Sequence, residues 1–392
     1  MKRAGGFAAV GLLVVGAFLL GFFLTRPSPT PAQTGAGAPP AERERSLRLV
    51  DEVRAELAGE YYSSLGAEVL GQPTVDGMIE ALGDPHTDYL TPAEYRALTE
   101  KTEGTYSGVG LTVGPSRRGL VVTSAFHGPA RAAGIRKGDV IVRIDGKPAG
   151  RMPFERSLAL IKGERGTIVK LTVRRPEAGR MSFEVVRQAI ELPALQARLL
   201  EGPGAQLGYI RVLSFPEGGA ERLERATGRL VARGAHGVVL DLRDNPGGLL
   251  SEAVAAVSVY LREGVICRTD GAHQEYESYS VSGAVAYPEL PLVVLVDGGS
   301  ASAAEIVAAA LHEHGRATLV GERTFGKTSV QAIEPLSNGG ALKLTTAKYV
   351  TSRGLDISEQ GLEPKVKAAD DPLTRSDEAL AAARRIARNL LS

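Results

Sequence analysis

The sequence predicts a multidomain α/β protein, and three observations carry that prediction. About 350 residues follow an N-terminal apolar run, more than one ordinary core organises. Short β-prone runs and turn signals crowd residues 104–190, the pattern of a β-rich domain. Over 191–369, apolar runs alternate with helical stretches, as expected for buried parallel strands joined by crossover helices.

The elements follow in chain order. Lys2 and Arg3 precede residues 5–24, which carry no charge. A helix of about 20 residues spans the roughly 30 Å of a bilayer's hydrocarbon core. Cations ahead of it favour a cytoplasmic N-terminus. Cleaved signals have apolar regions of about 7–15 residues. Residues 1–24 therefore read as a transmembrane anchor, with a cleaved signal as the alternative. Either way the body is expected outside the cytoplasm, on the periplasmic or cell-envelope side. Residues 25–41, rich in Pro, Gly, Ala and Thr, read as a linker.

Residues 42–103 read as an N-terminal helical module. Leu47, Val50, Val53 and Leu57 recur at helical spacing, Gly83, Asp84 and Pro85 interrupt it, and Thr91 with Pro92 opens another helix. Its expected job is packing, with a homodimer contact as the second reading. Within 104–190, strands are expected at 108–113, 120–124, 140–144, 168–174 and 182–186. A short helix at 129–133 should end at Gly134, and Asp145 with Gly146 marks a hairpin turn. In 191–369, strands are expected at 238–242, 292–297 and 317–320, and helices at 249–262 and 302–314. Residues 370–392 read as a C-terminal helix.

Composition excludes some functions. The net charge is +1, from 46 basic and 45 acidic residues, which leaves no electrostatic footprint for nucleic acid. The basic stretch 222–233 is interleaved with apolar residues and reads as a solvated helix face. Cys267 is the single cysteine, so no intrachain disulfide and no cysteine-based metal site exists. It lies in an apolar run and reads as a small core residue. The chemistry below calls for no metal and no cofactor.

Three predicted strands end in glycine-rich loops. The first runs from Arg243 through Asp244, Asn245 and Pro246 to Gly247 and Gly248. The second runs from Asp297 to Ser302, and the third from Gly321 to Lys327. Parallel strands joined by right-handed crossovers put their C-terminal ends on one edge, where open α/β sheets bind ligands. Ser302 and Lys327 can therefore meet. A hydroxyl is a weak nucleophile that needs an adjacent base. A lysine amine serves once burial lowers its pKa from about 10.4, and Phe325 and Val330 are the apolar neighbours for that burial. Ser302 also opens a helix, so the amides of Ala303 and of Gly247 or Gly248 are candidate oxyanion donors.

Alternatives stand beside this reading. Ser302, Ala303, Ala304 and Glu305 also fit a helix capping box, and Ser300 could fill either role. Histidine is a poor candidate for the base. Ten residues of helix place His312 about 15 Å from Ser302, which excludes it together with His314. His86, His127, His236 and His273 adjoin no evident Ser–Asp pair and read as structural or surface residues. The run Gly321 to Thr328 matches a nucleotide-binding P-loop, but a P-loop lysine is followed by a helix. Here Ser329 to Pro335 is β-branched and ends in proline.

Two resemblances bring these pieces together. The run Tyr106 to Leu111, then Gly128, Pro129 and Ala130 with Ala133, Gly134 and Ile135, then Gly138 to Ile141 with Ile144, Asp145 and Gly146, resembles a PDZ domain. Such a domain adds an extended peptide to an open sheet edge. Gly108, Val109, Gly110 and Leu111 are the candidate peptide-binding loop, since glycine lets a terminal carboxylate approach backbone amides. The chain as a whole, over about 42–369, resembles the carboxyl-terminal processing peptidases, the tail-specific serine proteases of peptidase family S41. The motifs are Gly299 to Glu305, Gly321 to Lys327 with Gln331, Asp241 to Gly248, and Leu82 to His86. The resemblance implies an α/β serine-protease core with an inserted PDZ domain. It implies Ser302 as nucleophile, Lys327 as base, Gln331 orienting that lysine, and the 241–248 segment lining the oxyanion site. The substrates it implies are proteins or peptides with exposed, mostly apolar C-terminal tails, cut through an acyl-enzyme. Lys162 stands where many members have Arg, and Ala304 where many have Ser. The rival reading is a non-catalytic, membrane-tethered PDZ adaptor on a dead hydrolase fold. The joint presence of Ser302, Lys327 and Gln331 argues against it.

Overall fold

The computed structural model describes residues 40–391, apart from 126, 127, 177, 203, 205, 371–373 and 375. The expected anchor at 5–24 lies outside the described residues, and no helix among the described residues is long and apolar enough to cross a membrane.

Thr105–Leu192 forms one compact unit, and Pro193–Ser392 joins the segment ending at Gly104 to form the other. In the first unit, five antiparallel strands run Leu111–Ser116, Gly119–Ala125, Val140–Ile144, Ile168–Arg175 and Gly179–Val186. Alternation buries Val169, Leu171 and Val173 against Ile135, Ile141 and Ile144. Asp139 is buried but paired with the Arg175 guanidinium at 2.8 Å. The strand expected at 108–113 is broken in two. Thr105–Gly108 pairs with Gln188–Glu191, whereas Leu111–Ser116 pairs with Gly119–Ala125. Gly110, at φ 77°, makes the bend between them, a conformation glycine adopts without steric penalty.

The second unit is built on a six-stranded sheet. Leu207–Val212, Gly237–Asp241, Leu292–Val296, Thr318–Gly321 and Val366–Lys367 are parallel neighbours in that order, with Leu195–Leu200 antiparallel on the edge. Both faces are covered, which is why the central strands are continuous apolar runs. Val238, Leu240, Val294 and Val296 pack with Gly219–Ala232, Leu250–Ser258 and Ala303–Glu313. Val239, Val293 and Leu295 face Ala379, Leu380, Ala383 and Ala387 of the C-terminal helix Glu378–Asn389. Cys267 is buried as expected, and burial pushes its thiol up to about 12.

A second sheet, of five strands, was not foreseen. Asp88–Leu90, Ala341–Thr351, Val265–Gly271 and Gln274–Ser280 are neighbours, and Ser329–Pro335 also pairs with Ala341–Thr351. The segment expected as a helical module contributes to this unit. Its helices Pro40–Glu60 and Val75–Leu82 bury Val50, Val53, Leu57 and Met78 against Leu336, Leu342 and Leu344. Leu47, expected on that face, is 64% exposed.

Candidate active site

Three parallel strands end at one sheet edge, and their loops interlock through backbone hydrogen bonds. Ala301 donates its amide to the Asn245 carbonyl at 2.9 Å, and Phe325 donates to the Ser300 carbonyl at 3.0 Å. Asp297 accepts the Asp244 and Gly299 amides, both at 2.9 Å. The Asn245 side chain is fully buried and ties the Val212 carbonyl to the Gly247 amide, each at 2.9 Å.

Ser302 begins the helix Ala303–Glu313 with φ 56° and ψ −119°. A helix-capping serine ordinarily has extended backbone. A non-glycine residue held at positive φ costs about 1–3 kcal/mol and persists where the surroundings enforce it, commonly at functional sites. The helix behind Ser302 is alanine-rich and buried through Leu311, so this terminus is rigidly placed.

Ser300, the other candidate, is fully buried. Its hydroxyl lies 2.8 Å from the Leu242 carbonyl, 3.0 Å from the Asp297 amide and 3.2 Å from the Asp297 carboxylate. It stitches two strand ends together and has no access to a substrate.

Glu305 is fully buried and its carboxylate accepts four hydrogen bonds. Oε2 takes the Ser302 amide and the Lys327 amide, both at 2.9 Å. Oε1 takes the Thr324 hydroxyl at 2.6 Å and the Gly326 amide at 2.7 Å. The capping-box pattern foresaw the bond to Ser302 alone. The same carboxylate brings the loop of Lys327 to the backbone of Ser302. It also occupies amides that a P-loop would offer to phosphate, and the lysine leads into a strand, Ser329–Pro335, instead of a helix.

Burial first, then the charges of Lys343 and Lys101, brings the Lys327 amine down to about 8 from 10.5, against the opposing pull of Asp84 and Glu305. Phe325 was expected to cover this lysine but is 59% exposed. The sequence reading missed Lys343 and Lys101, and it placed His86 away from the chemistry. Burial, then the Lys327 charge, pushes the His86 imidazole below its usual value. The only sequence signal for this proximity was the Leu82 to His86 segment, noted by resemblance.

The oxyanion candidates separate. The Gly247 amide is spent on Asn245, so it is not available in this arrangement. Gly247, at φ 102°, instead provides closeness, since a Cβ there would stand 2.9 Å from the Ser302 Cβ and 3.0 Å from the Ala303 nitrogen. Gly248, at φ 153°, and Ala303, the first residue of its helix, donate no bond to an acceptor among the described residues. Gln331 is not engaged with Lys327; its Nε2 is buried and finds no partner among the described residues. Gln331 lines a cleft of about 690 Å³ with Val330, Ala332, Thr346 and Tyr279.

In the other unit, Gly108, Val109 and Leu111 line a small pocket of about 40 Å³ with Tyr106, Leu158 and Lys162. Gly110 is not in its lining. The Lys162 ammonium lies 5.8 Å from the centre of the Tyr106 ring.

An α/β sheet whose edge gathers a strained serine at a helix start and a lysine of lowered pKa, with a PDZ domain in the same chain, defines a serine peptidase acting on proteins. Residues 206–368 match the model of peptidase family S41, and residues 121–175 match that of the PDZ domain. The chain is 32% identical over 367 residues to the carboxy-terminal processing protease CtpA of Bacillus subtilis, covering 92% of this chain and 76% of that protein. It is 38% identical over 303 residues to a carboxyl-terminal-processing protease of Picosynechococcus, covering 76% and 73%. The solved photosystem II D1 C-terminal processing protease superposes with a TM-score of 0.53 at 29% identity, over 88% of this chain and 97% of that one. The chain belongs to the carboxyl-terminal processing peptidases.

Proposed function

We propose that Ser302 and Lys327 form the catalytic dyad and that the PDZ domain receives the C-terminal tail of the protein to be cut. The observation that carries this reading is the strained backbone of Ser302 at the helix start, beside a lysine whose amine is held near 8. Neutral Lys327 takes the hydroxyl proton of Ser302 as the oxygen attacks the scissile carbonyl carbon. The resulting oxyanion faces the amides of Ala303 and Gly248. Collapse breaks the C–N bond, and Lys327 returns its proton to the leaving amine. Lys327 then deprotonates a water that cleaves the ester, and the Ser302 hydroxyl is regenerated. Gln331 turns toward Lys327 when substrate occupies the adjoining cleft. Residues 5–24, with Lys2 and Arg3 before them, hold this machinery to the membrane with the catalytic body on the extracytoplasmic side.

The test compares full-length protein as wild type, Ser302→Ala, Lys327→Ala and Ser300→Ala. The substrates are an unfolded protein with an apolar C-terminal tail and the same protein with a charged tail. Wild type cuts the apolar-tailed form faster, Ser302→Ala and Lys327→Ala cut neither, and Ser300→Ala retains cleavage wherever it remains folded. Cleavage by Ser302→Ala at the wild-type rate would end this mechanism.

A further inference from the structure

The buried carboxylate of Glu305 needs more explanation than helix capping provides. A capping-box glutamate reaches back to one amide at the start of its own helix. Only one of the four bonds to Glu305 is of that kind. The other three come from Thr324, Gly326 and Lys327, 19 to 22 residues further along the chain. No cation pairs with Glu305 among the described residues. Its carboxylate oxygens are satisfied by N–H and O–H donors, the condition under which a buried carboxylate is tolerated.

We infer that Glu305 is a positioning residue for catalysis, a clasp that fixes the nucleophile and its base in register by accepting the backbone amides of Ser302 and Lys327 on one oxygen atom. The inference rests on the assignment of Ser302 and Lys327 as the dyad. Two loops separated in sequence by a helix, Ala303–Glu313, and a strand, Thr318–Gly321, have no covalent reason to keep a fixed spacing. Glu305 supplies that spacing from inside the helix whose first amide faces the developing oxyanion. Thr324 completes the clasp. Its hydroxyl donates to Glu305 and accepts the Leu362 amide at 2.7 Å, tying the lysine loop to the body.

A displacement of about 1 Å between reacting groups costs on the order of 100-fold in rate. Glu305→Gln keeps the shape but puts an NH2 group opposite N–H donors, so at least one pair of bonds fails. The expected result is a folded protein, less stable than wild type because buried amides lose their acceptor, whose kcat under conditions where it is fully folded falls about 100-fold while KM changes less than about threefold. The acid limb of its pH–rate profile also moves to lower pH, because the Glu305 charge opposes the lowering of the Lys327 pKa. A general loss of stability does not produce that shift. Thr324→Val, which removes one donor and keeps the charge, is the second variant; its kcat falls about tenfold at unchanged KM. Folded Glu305→Gln with kcat within threefold of wild type overturns the inference. If Glu305→Gln does not fold, Thr324→Val with wild-type kcat overturns it. Ser302→Ala and Lys327→Ala are assayed alongside. If they are active, the dyad assignment fails and this inference with it; if they are inactive while both clasp variants work normally, only the inference fails.

Discussion

Replacing Lys343 by Met tests the electrostatic setting of the base. Lys343 lies in the strand Ala341–Thr351, opposite Asp88 on one side and Ile333 on the other. After burial, its charge is the largest influence lowering the Lys327 amine to about 8. A base works only when unprotonated. At pH 7 a pKa near 8 leaves about one Lys327 in ten neutral, whereas the ordinary value would leave roughly one in 3,000. Removing the Lys343 charge raises the Lys327 pKa, so the acid limb of kcat/KM, where the rate climbs as Lys327 loses its proton, moves to higher pH. A rise of about one unit would cut the rate at pH 7 about tenfold and leave the plateau above pH 10 unchanged. Methionine retains the apolar stem, which limits the packing loss. His86 also feels Lys343, but its imidazole titrates below 6.5, clear of this limb. The assay is the initial rate of cleavage of an apolar-tailed unfolded protein between pH 6 and 10.5. A limb that stays in place or moves to lower pH would refute the reasoning. An equal loss at every pH would show that Lys343 acts through the fold and not through the base.

Other substitutions probe the remaining features. Lys327→Met abolishes cleavage yet raises the melting temperature at pH 7. Relative to Lys327→Met, wild-type stability climbs between about pH 8 and 10.5, because there the unfolded lysine binds a proton that the folded one does not; calorimetry of both proteins across that window checks both statements. Ser300→Ala leaves the Asp297 amide without its partner and lowers stability by about 1–3 kcal/mol in a denaturant titration. Gly247→Ala drives a methyl against Ser302 and the Ala301 carbonyl at a left-handed backbone position; cleavage falls more than about 100-fold in a protein that still folds.

Much of the parallel sheet was legible because its strands are buried on both faces. Leu292–Val296 contains only Leu and Val, a run that neither a solvent-facing strand nor a loop would carry. The loops after such strands pointed to the edge where Ser302 and Lys327 come together. The five-stranded sheet was not legible for the opposite reason. Gln274–Ser280 holds two glutamates and two serines, and Asp88–Leu90 is three residues long, so neither carries a periodic signal of its own. Their strand character comes from partners distant in sequence. The same holds inside the site. That Glu305 begins a capping box is a local fact, whereas its bonds to the lysine loop depend on how two strands are spaced. The choice between Gly247 and Gly248 turns on one Asn245 side chain, and spacing alone could not anticipate it.

Thr345 donates its amide to the Thr87 hydroxyl at 3.1 Å across 258 residues of chain. At ribosomal rates of about 5–20 residues per second, Thr87 emerges roughly ten to fifty seconds before its partner exists. During that interval Thr105–Leu192, being contiguous, can complete its own sheet. The segment before Gly104 has nothing to pair with. Long-range strand pairing of this kind is slow, and it leaves edges open until the last contacts close. The lysine whose environment includes Asp84 from the first segment and Lys343 from the last cannot be tuned until both have arrived. Chain order thus acts as a time delay: a nascent peptidase has no working base while it is still being made.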